Sequence, residues 1–418
     1  MLDIKFIRQN PEKVKKGCRK KQVKVDITRV LTIDQEKRKY QKTLEELRAK
    51  QRRLSFETPL PLKKLTGIKK EIKKIEPRVK EKEQELKNLL LQIPNLPFDN
   101  VPEGKDEKEN VVIKEWGVKP KFDLPTGRQG FKPKDYLELA EKLDLIDVKR
   151  AAKISGTRFG ILKKEAVFLK FALRNFASEI LIKEGFIPID PPVMIRPEIM
   201  QAMGYVERGR DEIYYLKDDN LCLIGTAEQA LGPIHADEIL EEKQLPKRYI
   251  AFTPCFRREA GSYGEDTKGI FRVHQFDKIE MFSFSHPQKS QKEHQFLLSC
   301  EEKLMQALKI PYRMVQICTG DLGDPAAAKY DIEAWLPGQG CYRETHSTSN
   351  CTDFQARRLN IRYKEKSGKL SFVYTLNGTA FAIGRILIAI FENYQQKDGS
   401  IKIPEVLQKY LGRKKVIR

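Results

Sequence analysis

Two stretches near the N-terminus repeat apolar residues in alternating steps of three and four. The first stretch places them at Val30, Ile33, Tyr40, Leu44, Leu47 and Leu54, with Lys37 and Gln51 in the remaining places. The second places them at Leu65, Ile68, Ile72, Ile75, Val79, Leu86, Leu89 and Ile93, with Lys82 in its polar place. This spacing brings each set onto one seam of a helix, as in a coiled coil. The pattern therefore predicts two long helices that can pack through their seams.

The segment between the two stretches, SFETPLPL at residues 55–62, prevents one continuous helix. Pro59 and Pro61 lack the amide hydrogen that a helix interior requires. Two seams of similar length joined by a short breaker predict an antiparallel coiled-coil hairpin over about residues 28–93. A hairpin with so little core is expected to project as an arm, and Pro77 is expected to bend or loosen the second helix.

The chain changes character after residues 93–104, IPNLPFDNVPEG, which contain three prolines and a glycine. We place a domain boundary there, giving a helical domain over 1–104 and a second domain over 105–418. In the second domain, residues 165–184 predict one amphipathic helix, and prolines make residues 185–195 extended. Short β-rich pieces separated irregularly by helices and long loops predict an α+β fold, with an antiparallel sheet flanked by helices.

The positive charge is concentrated in the helical region. Residues 1–93 contain 28 Lys and Arg against 13 Asp and Glu, a net charge of +15 in a chain of +21. A basic excess of this kind is the usual footprint of a partner with a phosphate backbone. The alternative is a solvated helix face that keeps the protein soluble.

Bulk composition indicates a globular protein of the cytoplasm. Apolar residues make up 40% of the chain and charged residues 33%, and the apolar run at 386–391 is too short to cross a bilayer. The N-terminus lacks the apolar stretch of a signal peptide, so we expect neither secretion nor a membrane partner. The seven cysteines are scattered without metal-ligand spacing, which fits reduced thiols and gives no indication of zinc.

Residues 254–282, PCFRREAGSYGEDTKGIFRVHQFDKIEMF, contain the most specific chemistry. They read as a strand, a long glycine-containing loop and a second strand, which would place Arg257 and Glu259 on one strand face. An arginine on a rigid strand can bind a phosphate with two hydrogen bonds, and a glutamate can accept from an amine. Phe276 offers a flat apolar face for a base. The alternative is an Arg–Glu pair that stabilises a sheet, with a core phenylalanine.

This segment resembles motif 2 of the class II aminoacyl-tRNA synthetases, in the form FRxEAGS…HQFxKxEM of the seryl enzymes. Residues 185–195, GFIPIDPPVMI, are similar to motif 1 of that class, with Pro191 or Pro192 as its proline. Residues 375–395, TLNGTAFAIGRILIAIFENYQ, resemble motif 3, with Arg385 as its arginine.

Two further segments resemble the seryl-tRNA synthetases in particular. Residues 223–231, LIGTAEQAL, are similar to the serine-binding TxE loop of that family. Residues 343–358, RETHSTSNCTDFQARR, resemble its ATP-side segment. The five motifs occur in the family's order, and the resemblance extends over nearly the whole chain.

The resemblance implies roles for individual residues. ATP binding is implied for Arg257, Arg258, Glu259, Val273, Phe276, Glu344, Thr345, His346, Ser347 and Arg385. Within this set, Arg257 would hold the α-phosphate and the substrate carboxylate, Arg385 the γ-phosphate, and Glu344 a Mg²⁺ that accompanies ATP. Arg257, Glu259 and Arg385 are the implied catalytic residues.

Serine binding is implied for Thr226, Ala227, Glu228, Arg257, Glu280 and Thr379. Glu228 and Glu280 could instead be ordinary members of salt bridges.

This sequence also departs from the family's usual pattern at three positions. Thr379 stands for a serine, His346 for a small hydroxyl residue, and Gly225 for the proline often found before TxE. These departures leave fine specificity and affinity open, whereas every charged catalytic group is present.

The resemblance implies that L-serine and ATP form seryl-adenylate and pyrophosphate, and that the seryl group then moves to the 3′ end of serine tRNA. Selenocysteine tRNA is an implied substrate wherever an organism has it. A homodimer is implied, with the basic arm binding the tRNA. Among the alternatives, a threonyl or prolyl enzyme is disfavoured by the arm and the TAE loop. A carrier-protein aminoacylating relative would lack the arm and carry zinc ligands, and a non-enzymatic paralogue could have lost the charged groups.

Overall fold

The computed structural model describes residues 1–122, 130–261, 266 and 268–418. The chain forms two compact units, Met1–Leu96 and Pro97–Arg418. The boundary that we placed near residue 105 therefore lies a few residues inside the second unit. In the described part of the chain, no helix combines the length and the apolar character needed to cross a bilayer.

The first unit is helical, as its heptad pattern predicts. Its helices are α1 (Ile4–Gln9), α2 (Pro11–Lys20), α3 (Ile27–Leu54) and α4 (Leu62–Leu91). The side chain of Asp26 caps α3 by accepting from the backbone N–H of Arg29 at 2.9 Å. Helix α4 begins after Pro61 and continues through Pro77, so that proline does not interrupt the helix. The two long helices pack as the predicted hairpin.

The seam of the hairpin is buried in two apolar clusters with a charged layer at the polar heptad places. One cluster combines the N-terminal part of α3 and the C-terminal part of α4 with α1 and α2. The other cluster includes Leu44 and Ile72. Between them, the Lys82 Nζ lies 2.9 Å from carboxylate oxygens of both Glu36 and Glu85. Polar pairs at core positions of a coiled coil specify register more than they add stability. The two carboxylate partners therefore compensate the charge that Lys82 brings to a seam position.

The second unit contains helices and short strands in alternation. Its helices are α5 (Tyr136–Lys142), α6 (Val148–Ser155), α7 (Glu165–Lys183), α8 (Pro197–Met203), α9 (Glu228–Leu231), α10 (Ser290–Ala307), α11 (Phe354–Leu359), α12 (Ile383–Asn393) and α13 (Glu405–Gln408). Its first nine strands are β1 (Val111–Trp116), β2 (Ile146–Asp147), β3 (Ile161–Leu162), β4 (Ile187–Ile189), β5 (Met194–Ile195), β6 (Tyr215–Leu216), β7 (Leu221–Leu223), β8 (Ile239–Glu241) and β9 (Lys247–Phe256). The remaining strands are β10 (Gln275–Ser285), β11 (Tyr312–Gln316), β12 (Ala328–Leu336), β13 (Cys341–Asn350), β14 (Arg362–Lys364), β15 (Leu370–Phe372), β16 (Tyr374–Ala382), β17 (Ile401–Lys402) and β18 (Val416–Ile417).

A large sheet organises this unit, with the strand order β1-β11-β12-β13-β16-β10-β9-β4. Neighbouring strands run antiparallel except at one edge, where β4 runs parallel to β9. The predicted α+β class is confirmed, and the parallel edge pair is the exception to the antiparallel sheet. Strand β4 follows α7 directly, and the chain returns to β9 only after a long excursion, which permits parallel pairing.

The two faces of the sheet differ in chemistry. Ile279 and Met281 of β10 join the main core with apolar residues of α7, α10 and α12. Because successive strand residues point to opposite faces, Lys278 and Glu280 lie on the other face. That face bears the polar groups of the candidate site, while the helices cover the core face.

Candidate active site

Two adjoining cavities lie over the polar face of the sheet. The larger chamber has a volume of about 400 Å³ and includes Thr226, Glu228 and Glu280 in its lining. The smaller chamber has a volume of about 250 Å³ and includes Glu344 and Arg385. Residues that line both chambers define the junction between them: Arg257, Glu259, Arg272, Lys278, Lys329 and Ser347.

Glu228 is the first residue of α9 and lines the larger chamber. Its carboxylate accepts from the Tyr205 hydroxyl at 2.6 Å and from the Gln355 Nε2 at 2.8 Å. Burial raises the pKa of Glu228 above its ordinary value, although both hydrogen bonds act in the opposite direction. The chamber therefore contains a carboxyl group whose ionised form is poorly solvated. An ammonium group beside it would relieve that cost.

Glu280 lies on β10 opposite Thr379 of β16. The Glu280 Oε2 accepts from the Lys278 Nζ at 2.6 Å and from the Thr379 hydroxyl at 3.2 Å. Thr379 itself lines the smaller chamber, and its hydroxyl is linked to the larger chamber only by its hydrogen bond to Glu280. Thr226 is buried in the lining of the larger chamber, whereas the buried Ala227 is not among the lining residues.

Arg257 follows β9 directly and faces both chambers. Its Nε donates to the carbonyl of Gly225 at 3.1 Å, and its guanidinium lies 5.4 Å from the centroid of the Phe276 ring. The backbone N–H of Gly225 donates to the Gln229 Oε1 at 2.8 Å, a bond that a proline could not make. The glycine at this departure from the family pattern thus helps to fix the loop that holds Arg257.

Glu259 reaches the junction by a turn, and our placement of it on a strand face with Arg257 is wrong. Strand β9 ends at Phe256, and Glu259 has a left-handed backbone with φ +51°. Its carboxylate accepts from the Arg272 Nε at 2.6 Å. Arg258, expected beside Glu259 in the same site, lies 6.0 Å from the Tyr214 ring and is not among the lining residues of either chamber.

The smaller chamber is organised by Arg385 at the start of α12. Its Nη1 lies 3.1 Å from the Glu344 Oε2 and donates to the Glu344 carbonyl at 3.0 Å. Partial desolvation in the chamber opposes ionisation of Glu344, but the charges of Arg385 and Lys329 outweigh it and hold its pKa at about 2. Glu344 is therefore a carboxylate at neutral pH. Val273, Phe276, Thr345 and Ser347 complete the predicted set that lines this chamber.

His346 does not join that set, which corrects our placement of it in the ATP pocket. Strand β13 has a bulge, since Ile332 pairs with His346 and Glu333 with Glu344, leaving Thr345 as the extra residue. The bulge inverts the alternation, so the His346 ring packs 5.7 Å from the Phe381 ring in the core. Burial lowers the pKa of His346 to about 3, and the ring is neutral.

Sequence reasoning assigned no role to three cations of the junction. Arg272 is held by Glu259, Lys278 by Glu280, and the Lys329 Nζ lies 3.1 Å from the Asp331 Oδ2. Lys278 lies two residues before Glu280 on β10, and this spacing could have predicted that both side chains face the site. Lys329 lies on β12, and its approach to the site depends on strand order. Together with Arg257, these cations can stabilise negative charge that develops between two bound anions.

The described residues contain no group of three or more His, Cys, Asp and Glu side chains that could hold a metal ion on its own. A Mg²⁺ ion that arrives with a nucleotide needs less, because phosphates and water supply most of its ligands. The ionised Glu344, with the Ser347 hydroxyl in the same lining, fits that requirement.

Comparisons with known proteins agree for both units. A family model described as "tRNA synthetase class II core domain (G, H, P, S and T)" matches residues 214–394, and one described as "Seryl-tRNA synthetase N-terminal domain" matches residues 1–97. A serine–tRNA ligase from Dictyoglomus turgidum is 45% identical over 424 residues, covering 99% of this chain and 98% of the relative.

Two of the matching solved structures cover the whole chain. The seryl-tRNA synthetase from Pyrococcus horikoshii, complexed with ATP, has a TM-score of 0.92 at 43% identity and covers 100% of this chain and 99% of its own. The cytoplasmic serine–tRNA ligase from Naegleria fowleri, in complex with AMP, has a TM-score of 0.89 at 35% identity, with the same coverage.

The raised pKa of Glu228 predicts that this carboxylate destabilises the ligand-free protein. Because the folded pKa lies above the unfolded one, the cost is absent at low pH and grows as the pH rises through the folded pKa. Glu228→Gln should therefore raise the Tm at pH 8, because it removes the poorly solvated charge. The gain should shrink towards pH 4.5. Thermal unfolding of both proteins across this range measures it.

Glu57→Gln is the control, because it removes the same charge from the exposed loop between α3 and α4. A lower Tm for Glu228→Gln at pH 8 than for the unsubstituted protein would contradict this account of Glu228.

Proposed function

The chain belongs to the seryl-tRNA synthetase family, and we propose that it ligates L-serine to serine tRNA through the two chambers. The junction is the single observation that supports this function most. Its cations line both the larger chamber, which contains Glu228 and Glu280, and the smaller chamber, which contains Arg385 and Glu344. Serine would occupy the larger chamber and ATP the smaller one. Selenocysteine tRNA is included wherever an organism has it.

In the larger chamber, the serine ammonium would bind between Glu228 and Glu280, with the Thr226 hydroxyl as a further acceptor. Both carboxylates are buried and already accept hydrogen bonds from protein donors. They can form strong hydrogen bonds to an ammonium group, because little water competes for them. The Thr379 hydroxyl, bound to Glu280, would orient that carboxylate. Ala227 would contribute through the backbone of the loop that positions its two neighbours.

In the smaller chamber, the adenine would stack on the Phe276 ring and meet the backbone of Val273. Arg385 would bind the γ-phosphate, and Thr345 would line the pocket. We propose that Arg258 also contacts ATP, from the turn beside this chamber.

Mg²⁺ would be held by Glu344 and by the phosphates of ATP. When bound, it neutralises phosphate charge and holds the pyrophosphate leaving group in place. Glu344 suits this role because its low pKa keeps it ionised, and Arg385 holds it through its carboxylate and its carbonyl.

The reaction then proceeds at the junction. A carboxylate oxygen of serine attacks the α-phosphorus of ATP, and the bond from that phosphorus to the bridging oxygen of pyrophosphate breaks. Arg257 contacts the α-phosphate and the serine carboxylate, so it lowers their repulsion and stabilises the charge on the α-phosphate. Glu259 orients Arg272 beside it. In the second step, a ribose hydroxyl of the terminal adenosine attacks the acyl carbon and AMP leaves.

The N-terminal unit is the proposed tRNA-binding arm. Its basic excess over residues 1–93 suits a phosphate backbone, and the apolar seam leaves most lysines and arginines of α3 and α4 exposed. RNA helices are recognised largely by shape and backbone contacts, for which distributed cations are sufficient.

We also propose a homodimer in the cytoplasm. Apolar side chains of the second unit are exposed on α7, β4 and β5: Phe168, Phe171, Ile182, Ile187 and Met194. An exposed apolar patch at a sheet edge is typical of a protein interface. None of the seven cysteines, all of which lie among the described residues, forms a disulfide bond, as expected in a reducing compartment.

Arg257→Ala tests the proposed first step. Loss of one group that stabilises a transition state costs about 3–4 kcal/mol, so serine-dependent exchange of pyrophosphate into ATP should fall by about 10²–10³-fold. The control is Arg196→Ala, which removes an exposed arginine at the start of α8. Near-normal exchange from Arg257→Ala would refute the role assigned to this residue.

Salt dependence tests the proposed arm. Affinity for serine tRNA should fall steeply between about 50 and 200 mM salt, because phosphate contacts release counterions. Replacing the exposed Arg52 and Arg53 by Gln should lower the slope of log K against log salt by about one for each lost contact, leaving exchange unchanged. The control replaces Lys366 and Lys369, exposed in the second unit. Equal slopes for the arm variant and the unsubstituted protein would mean that these charges only solvate the helix.

A further inference from the structure

A turn at residues 210–212 is connected to the segment that follows β9 through one residue, Glu212, which also lines the larger chamber. The Oε1 of Glu212 accepts from the backbone N–H of Ala260 at 2.9 Å and from that of Gly261 at 3.4 Å. The Glu212 carbonyl accepts from the backbone N–H of Arg258 at 3.0 Å. Glu212 thus holds three backbone amides within four consecutive residues, and it is the side-chain carboxylate that fixes two of them.

These amides flank Glu259, whose left-handed backbone conformation is energetically unfavourable for a residue other than glycine. Residues other than glycine rarely adopt φ near +51° unless their neighbours hold them there. Glu212 restrains the residue before Glu259 and the two residues after it. On the other side, the Glu259 carbonyl accepts from the Arg158 Nη1 at 3.2 Å.

The backbone of Glu259 determines where its carboxylate lies. In the left-handed conformation the carboxylate accepts from the Arg272 Nε at 2.6 Å, and both side chains line the junction. An extended backbone at the same residue would turn the side chain to the opposite side of the segment. The position of the Glu259–Arg272 pair therefore depends on the contacts that fix residues 258–261.

We propose that Glu212 is a positioning residue for adenylate formation, because its carboxylate holds Glu259 in the conformation that places Arg272 at the junction. The proposal rests on the proposed function of the junction. A carboxylate is suited to this task, since an ionised acceptor forms stronger bonds to two amides than a neutral one does. Glutamine retains an acceptor oxygen of the same reach, whereas alanine removes it.

The first experiment measures serine-dependent pyrophosphate exchange for Glu212→Ala, Glu212→Gln and Asp211→Ala. A misplacement of about 1 Å at a reacting centre costs up to about 100-fold, so Glu212→Ala should lower kcat/KM for ATP by about 10–100-fold. Glu212→Gln should recover most of that loss. Asp211→Ala is the matched control, because it removes the neighbouring charge and should stay within about threefold. Wild-type kcat/KM from Glu212→Ala would overturn the proposal, and so would equal losses in the alanine and glutamine variants.

A double-mutant cycle with Glu259→Ala separates positioning from a general effect on folding. If Glu212 acts through Glu259, then Glu212→Ala should cause at most about a twofold further loss in the Glu259→Ala protein. Losses that multiply would overturn the proposal, because they would show that the two residues act independently. Unsubstituted protein is measured in the same assay. Absence of serine-dependent exchange there would reject the proposed function itself, separately from the role of Glu212.

Discussion

The structure depends on holding several cations together in one small space between two cavities. Arg257, Arg272, Lys278 and Lys329 all line the junction, and like charges so close together repel one another. Each is held by its own acceptor: the Gly225 carbonyl, Glu259, Glu280 and Asp331 respectively. These acceptors reduce the repulsion and fix each cation before any substrate binds. Preorganised charge of this kind needs little rearrangement during a reaction.

The large sheet is what makes this arrangement possible. Lys278 and Lys329 come from β10 and β12, while Arg257 and Arg272 lie where the chain leaves β9 and approaches β10. Helices α7, α10 and α12 cover the opposite face, so the polar face can hold buried charge over a rigid apolar core. Buried carboxyl groups such as Glu228 are then a stability cost that the site retains because an ammonium group would relieve it.

Local patterns predicted the hairpin and much of the site, because those features depend on short-range spacing. The heptads of α3 and α4 predicted the buried seam, and linear motifs predicted Arg257, Glu280, Glu344 and Arg385, which line the two chambers. Features that depend on nonlocal geometry were missed. The family resemblance placed His346 in the ATP pocket with Glu344, but a one-residue bulge turned its ring into the core. The left-handed turn at Glu259 and the approach of Lys329 required the neighbouring strands to be known.

In the proposed reaction, serine and ATP are joined at the junction. The most direct measurement is pyrophosphate exchange into ATP with purified protein and each amino acid in turn, including alanine and threonine. We expect exchange with serine. We also expect rejection of alanine by a factor of about 10⁴ or more, because the family resemblance places Glu280 and Thr379 at the ammonium and hydroxyl end of the substrate, and a missing hydroxyl would leave a buried polar group there unpaired. Exchange that is absent with serine, or faster with any other amino acid, would contradict the account.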